Sequence, residues 1–137
     1  MASDKRFATF EEFWPFYVGE HKKKATRQFH FLGTTAAMAC VAAGVFGSRK
    51  WLLLAPIAGY APAWVSHFFI EQNRPATFKW PVWSLYADFV MWTKTLAGTM
   101  DAEVERVVAS AAEAAAAGDG AAAPDKHAKP TPDQTLN

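Results

Sequence analysis

The sequence predicts an all-α fold: a small multi-span helical membrane protein. Two runs without a charged residue support this fold, since residues 31–48 cover 18 positions and residues 51–70 cover 20. Each run is long enough to cross the ~30 Å hydrocarbon core of a bilayer as a helix. Only Arg49 and Lys50 separate the two runs, so we expect them to form a tight helical hairpin. A third apolar segment follows at residues 82–96 and is a candidate third span.

The N-terminal segment is predicted to form a short amphipathic helix. Thr9 and Glu12 have the spacing of a capping box, which marks the start of a helix. Pro15 is expected to kink or shorten this helix, because a proline removes a backbone hydrogen bond. Three side chains spaced four residues apart share one face: Phe13, Tyr17 and His21. An interfacial helix with its aromatic residues among lipid headgroups would show the same pattern.

His21 and His30 can reach one site only if the chain breaks between them. In a single helix, nine residues at ~100° per residue would place the two side chains on opposite faces. We therefore expect a break at Gly19 or within residues 22–26, with Thr26 as the N-cap of the next helix.

The hairpin is predicted to pack closely, because small residues allow membrane helices to approach each other. In the first run these residues are Gly33, Ala36, Ala37, Ala39, Ala43 and Gly44. Pro56 and Pro62 lie in the second run, and in a membrane bundle neighbouring groups can satisfy the carbonyls that they free. The alternative is a soluble helical core, but the rest of the chain offers too little amphipathic helix to cover both runs.

A polar connection over residues 71–81 precedes the third apolar segment, and Pro75 and Pro81 act in it as helix stops. The segment carries Asp88 near its middle. A carboxylate inside a membrane usually faces the interior of the helix bundle. With ~15 residues the segment is short for a span. A short interfacial helix with Asp88 among the headgroups explains the pattern equally well.

These patterns divide the chain into three parts. Residues 1–100 form a membrane-embedded helical domain, and residues 101–117 form a soluble helix. Residues 118–137 are rich in Ala and Pro and contain almost no large apolar side chain. Such a composition cannot bury enough surface to fold, so we expect a disordered tail.

The distribution of charge predicts an orientation in the membrane. Positive charge is densest just before the first run, at Lys22, Lys23, Lys24 and Arg27. Because basic residues stay on the cytoplasmic side, we expect a cytoplasmic N-terminus in a bacterial inner membrane or the endoplasmic reticulum. The net charge of +1 and the lack of a long basic face argue against a nucleic-acid partner. No pattern indicates an oligomeric state.

A candidate site lies where the second run ends. Four side chains at helical spacing share one face there: Tyr60, Trp64, His67 and Glu71. The hairpin returns this face to the membrane surface at which His21 and His30 lie. Three imidazoles with one or two carboxylates suit a divalent metal such as Fe(II). Zinc accepts the same ligands, so the residue types leave the metal open.

Three stretches resemble one known family: FYVGEHKKKATRQFHFLGT, PIAGYAPAWVSHFFIEQNRPATF and WPVWSLYADFVMW. That family was once described only as a domain of unknown function, and its characterised fungal member is a 2-hydroxy fatty acid dioxygenase. The resemblance covers about residues 7–98. It implies a multi-span membrane protein that uses Fe(II) and O2 to shorten 2-hydroxy fatty acids by one carbon in α-oxidation.

The resemblance also implies roles for individual residues. The implied metal ligands are His21, His30 and His67. The implied catalytic carboxylates are Glu71 and Asp88. The expected substrate-binding residues are Tyr60, Trp64, Asn73 and Arg74. The alternative from another class is a non-catalytic membrane protein, a lipid-binding or assembly factor, in which these polar groups tie the helices together.

Overall fold

The computed structural model describes residues 7–119, and every regular element in that part of the chain is helical. The predicted all-α class is confirmed. The helices are α1 (Phe10–Gly19), α2 (Lys24–Phe46), α3 (Lys50–Ser66), α4 (Pro81–Leu96) and α5 (Met100–Asp119). A π-helical turn at His67–Glu71 extends α3, and a short 3-10 turn at Ala76–Phe78 precedes α4.

Helix α1 begins at the predicted cap. The Thr9 hydroxyl accepts a hydrogen bond from the backbone N–H of Glu12 at 3.3 Å, and the Glu12 carboxylate accepts one from the N–H of Ala8 at 3.0 Å. The first bond satisfies an N–H group that the first turn of a helix leaves without a partner, and the second holds the residue before the cap. The helix then continues through Pro15 to Gly19, so the proline does not end it.

The expected break between α1 and α2 falls at residues 20–23. The expectation that Thr26 caps α2 is wrong, because the N-cap is Lys23, whose side chain makes no capping bond. The cap comes instead from Glu71, which accepts from the backbone N–H groups of Lys22 at 3.1 Å and Lys23 at 3.2 Å. The Thr26 hydroxyl donates to the same carboxylate at 2.6 Å. The negative charge of Glu71 at the N-terminal end of α2 also interacts favourably with the dipole of this helix.

Helices α2 and α3 form the predicted hairpin and approach closely at two glycines. A Cβ on Gly33 would lie 2.8 Å from the carbonyl oxygen of Gly59, and a Cβ on Gly44 would lie 2.5 Å from the side chain of Leu52. Any larger residue at either position would push the helices apart, as expected for small-residue packing of membrane helices. Helix α3 also stays helical past both of its internal prolines.

Two helical stretches are long and apolar enough to cross a membrane: Lys24–Phe46 and Lys50–Glu71. In each stretch only 17% of the most apolar 18 residues is buried inside the protein. Large apolar side chains therefore face outward, including Leu53 at 76% exposure and Phe69 at 77%. The core helices of a soluble protein would bury such side chains, so this surface counts against the soluble alternative.

The segments before and after α4 both contact the start of α2. Before α4, Glu71 contacts the start of α2, and after α4, Asp101 forms ion pairs with Lys24 at 3.1 Å and Arg27 at 2.6 Å. With 16 residues the helix is ~24 Å long, which is shorter than the ~30 Å core of a bilayer. These contacts argue against a crossing by this segment, and the third crossing is not confirmed. Asp88 nevertheless faces the interior of the helix bundle, because its side chain is 14% exposed and binds Tyr17 and His30.

Helices α1, α4 and α5 pack around a common apolar core. Its buried side chains include Phe13, Val18, Ala87, Met91, Met100 and Val104. The indole N–H of Trp14 donates to the carboxylate of Glu103 at 2.7 Å and fastens α5 to α1. Helix α5 extends to Asp119, two residues beyond its predicted end at residue 117. The rest of the expected tail, residues 120–137, lies outside the described residues.

Candidate metal centre

Three histidines from three segments meet inside the protein. His21 lies in the connection between α1 and α2, His30 lies in the second turn of α2, and His67 begins the π-helical turn. Their exposed fractions are 0%, 5% and 2% respectively, and one nitrogen of each lies within 4.8 Å of the others. The structure therefore brings together the three predicted metal ligands, and the group could hold a metal ion.

The ring of His21 has one bonded nitrogen and one without a partner. Its Nδ1 lies 2.6 Å from the backbone carbonyl oxygen of Tyr17, which can only accept, so Nδ1 carries the proton. Its Nε2 is buried and has no hydrogen-bond partner. Burial, together with the neighbouring His30 and His67, lowers the pKa of His21 well below its usual value, so the ring is neutral. A buried lone pair without a partner is unusual, and a bound metal would explain it.

The ring of His30 is oriented by a carboxylate. Its Nδ1 donates to Oδ1 of Asp88 at 2.7 Å, and the same oxygen accepts a hydrogen bond from the hydroxyl of Tyr17. Burial and the negative charge of Asp88 raise the pKa of Tyr17 well above its usual value, so the phenol keeps its proton. A carboxylate behind a histidine fixes the tautomer and makes the other nitrogen a better metal ligand. Asp88 therefore acts on the site through His30.

The ring of His67 is oriented by an amide. Its Nδ1 lies 2.7 Å from Oδ1 of Asn73. The amide nitrogen of Asn73 donates to the carbonyl oxygen of Glu20 at 3.0 Å and to its carboxylate at 2.8 Å, which fixes the amide orientation. Nδ1 of His67 must therefore carry the proton, and its Nε2 presents a lone pair. These contacts place Asn73 behind the histidine, whereas the sequence had suggested contact with substrate.

The three Nε2 atoms form a donor set for a cation. The Nε2 atoms of His30 and His67 lie only 3.2 Å apart, although each ring carries its proton on Nδ1. Two lone pairs at this distance repel unless a metal cation lies beside them or a proton lies between them. Neutral imidazole nitrogens suit iron, zinc, copper and nickel ions. The residues present therefore fit a divalent transition metal, without selecting one.

The other predicted site residues are divided between the site and the surface. Glu71 lies outside the histidine group, and its carboxylate binds the start of α2. Trp64 is 38% exposed and packs against the ring of Phe78 at 5.2 Å. Arg74 is exposed on the connection before α4. Tyr60 does lie beside the site, in the groove described next.

An apolar groove with a volume of about 370 Å³ runs between α2, α3 and α4, starting at His30. Its polar lining residues are His30, Thr34, Tyr60 and Asp88. Its apolar lining residues are Ala37, Val41, Leu52, Ala55, Pro56, Gly59, Leu85 and Phe89. An apolar cleft with a few convergent polar groups is the usual form of a small-molecule site. The groove thus fits an apolar molecule whose polar end reaches the histidines.

Sequence reasoning missed the residue that holds the His21 loop in place. The side chain of Arg27 is buried, and its guanidinium donates to the carbonyl oxygens of His21 at 2.9 Å and Lys22 at 2.5 Å. Asp101 neutralises this buried charge at 2.6 Å. The sequence indicated only a membrane-orienting charge at Arg27, because its partner is 74 residues away along the chain.

Comparison with known proteins gives one family. The model of the family described as 2-hydroxy-palmitic acid dioxygenase Mpo1-like matches residues 7–100, which include all three histidines and Asp88. Comparisons with curated proteins and with solved structures found no match. Because the matched range covers more than half of the chain, the protein belongs to the 2-hydroxy-palmitic acid dioxygenase Mpo1-like family.

Proposed function

We propose that this protein is a membrane-embedded Fe(II)-dependent dioxygenase that uses O2 to shorten 2-hydroxy fatty acids by one carbon, as in α-oxidation. The observation that carries the proposal is the group of three buried histidines, one of which, His30, lines the polar end of an apolar groove. Family membership supports the reaction and the substrate class. The donor set supports iron, which is among the metals that imidazole suits.

The protein's contribution is to hold the ligands in a fixed orientation. His21, His30 and His67 would hold the iron through Nε2. Bound there, iron would supply Lewis-acid binding of oxygen atoms and activation of O2. Each ring is already oriented by a hydrogen bond from Nδ1, so little reorganisation accompanies binding of the metal. The acceptors of these bonds are the Tyr17 carbonyl, the Asp88 carboxylate and the Asn73 amide.

The groove would place the substrate with its reacting carbons beside the histidines. Its apolar walls would bind the acyl chain, and the carboxylate and 2-hydroxyl would lie at the polar end. The hydroxyls of Thr34 and Tyr60 belong to this lining and can hydrogen-bond to substrate oxygens. Arg74, expected from the sequence to pair with the carboxylate, is exposed and does not line the groove. We therefore assign it no substrate contact in this proposal.

The bilayer would surround the hairpin of α2 and α3. Their length, their outward-facing apolar side chains and the basic residues at the start of α2 support two crossings with a cytoplasmic N-terminus. Helices α1 and α5 would then lie at the cytoplasmic surface, because Trp14 joins α1 to α5, and Arg27 and Asp101 join α5 to that end of the hairpin. Helix α4 would extend from this surface along the groove. The histidines would lie just below this surface, within reach of both water and lipid.

The alternative is a non-catalytic membrane protein whose polar groups tie its helices together. Asp88 supports such a role, since it binds Tyr17 of α1 and His30 of α2 from its position in α4. However, if the three histidines only held helices together, each of their ring nitrogens would be hydrogen-bonded. The Nε2 of His21 is instead left without a partner. Metal binding explains why this nitrogen has no hydrogen-bond partner, and a purely structural role does not.

Metal content and turnover test the proposal directly. We expect detergent-purified wild type to hold about one iron per chain, or to accept it from added Fe(II), and to convert a 2-hydroxy fatty acid to the acid one carbon shorter only when O2 is present. His67→Ala should lose the iron and the turnover. Glu105→Ala is the control, because Glu105 is exposed on α5, and it should behave as wild type. A wild type that cannot be loaded with Fe(II), or undiminished turnover by His67→Ala, would favour the helix-tying alternative.

A further inference from the structure

Tyr17 contacts the metal centre at two points. Its ring stacks on the ring of His21, with 4.1 Å between the ring centres and 26° between the planes. Its hydroxyl donates to Asp88, which also accepts a hydrogen bond from Nδ1 of His30. The residue is only 1% exposed. A phenol is readily oxidised by one electron, and this phenol lies directly against the predicted metal ligands.

A second oxidisable ring continues this stack. The indole of Trp14 is nearly parallel to the phenol of Tyr17, with 5.9 Å between the ring centres and 16° between the planes. The two residues are three positions apart in α1, so the helix itself holds the rings together. Electron transfer between aromatic rings is fast at such short separations and slows steeply with distance. His21, Tyr17 and Trp14 therefore form a column of rings through which an electron can move.

The ring column leads from the interior to the surface. The exposed fraction rises along it from 0% at His21 to 7% at Trp14. The indole N–H of Trp14 donates to Glu103, and hydrogen bonds from Arg106 and Trp14 lower the pKa of Glu103 to about 2. The carboxylate is therefore ionised at neutral pH. A negative charge beside the indole stabilises the positive charge that the ring acquires when it loses an electron.

The phenol also has an acceptor for its proton. A buried phenol that lost an electron and kept its proton would carry an uncompensated positive charge, which is costly away from water. The hydrogen bond to Asp88 removes this cost, because the proton can move to the carboxylate as the electron leaves. In the part of the chain that the structure describes, Tyr17 alone of the three tyrosines donates to a carboxylate.

We propose that Tyr17 and Trp14 form a redox path that carries an oxidising equivalent from the metal centre to the surface. The inference rests on the proposed function for its source, a one-electron oxidant left at the centre when O2 is activated without substrate. Tyr17 gives one electron to that oxidant and its proton to Asp88. Trp14 then returns an electron to the phenoxyl radical, and the proton goes back to the phenol. A soluble one-electron reductant, such as a thiolate or ascorbate, finally reduces the indole radical cation.

The path would protect the metal ligands. An oxidising equivalent that stays among the histidines modifies their rings, whereas one that leaves along the column is reduced at the surface without damage. Trp14→Phe keeps an aromatic ring in the column but removes the oxidisable indole. Trp51→Phe is the matched control, because Trp51 is 47% exposed at the start of α3, at the other end of the hairpin.

The measurement is electron paramagnetic resonance of frozen protein after oxidation in the absence of substrate. Tyr60→Phe and Tyr86→Phe together leave Tyr17 as the single tyrosine, so every tyrosyl signal belongs to it. In the first arm, peracetic acid oxidises the Fe(II)-loaded protein. Here the tyrosyl radical forms from inside, and Trp14→Phe should prolong its lifetime severalfold, because the way out is cut.

The second arm needs no iron. Light and a soluble ruthenium photosensitiser with persulfate oxidise the metal-free protein from outside. The radical then reaches the buried Tyr17 through Trp14, so Trp14→Phe should lower the yield of the tyrosyl signal severalfold. Trp51→Phe should leave both the lifetime in the first arm and the yield in the second unchanged. If the single-tyrosine protein fails to fold, the difference between wild type and Tyr17→Phe gives the same signal.

A third readout is damage to the metal ligands. Repeated exposure to Fe(II) and O2 without substrate should leave more oxidised histidine in Trp14→Phe than in Trp51→Phe, as measured by mass spectrometry of peptides. Equal damage in the two variants, or the absence of a tyrosyl signal at Tyr17 in both oxidation arms, would overturn the inference.

The two oxidation arms separate this inference from the proposed function. If wild type converts 2-hydroxy acids while Trp14→Phe and Trp51→Phe behave alike in both arms, the redox path is wrong and the dioxygenase proposal stands. If the photosensitiser arm gives the expected loss of yield but wild type holds no iron and converts nothing, the electron path is real and the dioxygenase proposal fails.

Discussion

The Nε2 atoms of His30 and His67 lie 3.2 Å apart, while the Nδ1 atom of each ring donates to an acceptor of its own. In these tautomers the two Nε2 atoms present lone pairs to each other, and the lone pair of His21 is buried beside them. Bringing three such atoms together costs free energy unless a metal cation or a proton lies between them. Folding of this region and metal binding should therefore be coupled.

Metal should stabilise the folded protein. Removing metal with a chelator should lower the midpoint of thermal unfolding, and adding Fe(II) or Zn²⁺ should restore it. A metal at 100 times its dissociation constant would add about 2.7 kcal/mol to the free energy of unfolding. The midpoint of His67→Ala should no longer respond to either treatment. A wild-type midpoint that is unchanged by both chelator and metal would contradict the metal centre.

Asp88 should control metal affinity without being a ligand. Asp88→Ala removes the acceptor for Nδ1 of His30, and losing such a partner typically weakens metal binding by about 10- to 100-fold. Asp88→Asn keeps an acceptor and should restore part of the affinity. Saturating iron should still give wild-type stoichiometry, because all three histidines remain. The measurement is competition with a chelator of known affinity.

Controls for this prediction come from the same hydrogen-bond chain and from the surface. Tyr17→Phe removes only the hydroxyl that binds Asp88, and the carbonyl that binds His21 stays, so its effect should be smaller than that of Asp88→Ala. Glu105→Ala removes an exposed carboxylate on α5 and should leave affinity unchanged. Wild-type affinity in Asp88→Ala would mean that the carboxylate only ties helices together.

Glu71 should stabilise the fold and have little effect on the chemistry. Its carboxylate accepts from the start of α2 and from the Thr26 hydroxyl, so Glu71→Ala should lower the free energy of unfolding by about 1 kcal/mol, as for loss of a helix cap. Iron stoichiometry and turnover should stay close to wild type in conditions where the variant is folded. Thr26→Val should show part of the same loss.

The opposite outcome at Glu71 would support the role that the resemblance implies. If Glu71→Ala keeps wild-type stability and iron content but loses turnover, Glu71 is a catalytic carboxylate. Measuring unfolding, iron and turnover on the same preparation distinguishes the two roles.

The parts of the fold that local patterns control could be predicted from the sequence. Apolar runs and 3.6-residue periodicity indicated the hairpin, and the angle between His21 and His30 required the break that the structure places at residues 20–23. The three histidines could be proposed as one group because the hairpin returns His67 to the end at which α2 starts. These inferences depend on residues close together in the chain or on the topology of a single hairpin.

The contacts that orient the histidines could not be predicted in the same way. Asp88 reaches His30 across 58 residues, and Glu71 reaches Thr26 across 45. Nothing in the local pattern around Thr26 shows that a distant carboxylate will replace its capping role. Asn73 was expected to contact substrate because the sequence shows only its proximity to His67. The left-handed backbone at Gln72, with φ of 61°, turns the chain back before Asn73, whose backbone N–H then donates to the carbonyl oxygen of His67.

The orientation in the membrane is the last prediction, and it follows from the charges at the two ends of the hairpin. Basic residues precede α2, and Asp101 binds Lys24 and Arg27, so α5 should lie on the cytoplasmic side with them. Ser48 lies in the turn between α2 and α3 and should face the opposite side. With Cys40 replaced by Ala, Ser48→Cys should react with an impermeant thiol reagent in intact cells. Ser110→Cys, exposed on α5, should react only after permeabilisation.

The pair of cysteines tests both the direction and the crossing. Labelling of Ser110→Cys but not Ser48→Cys in intact cells would reverse the orientation and leave two spans. Equal behaviour of both positions would place the turn and α5 on the same side, which the two crossings of α2 and α3 forbid as long as Asp101 holds α5 at the start of α2. In each of the two helices only 17% of the most apolar 18 residues is buried. The exposed apolar surface of the hairpin would then have to be covered by something other than a bilayer that the hairpin spans.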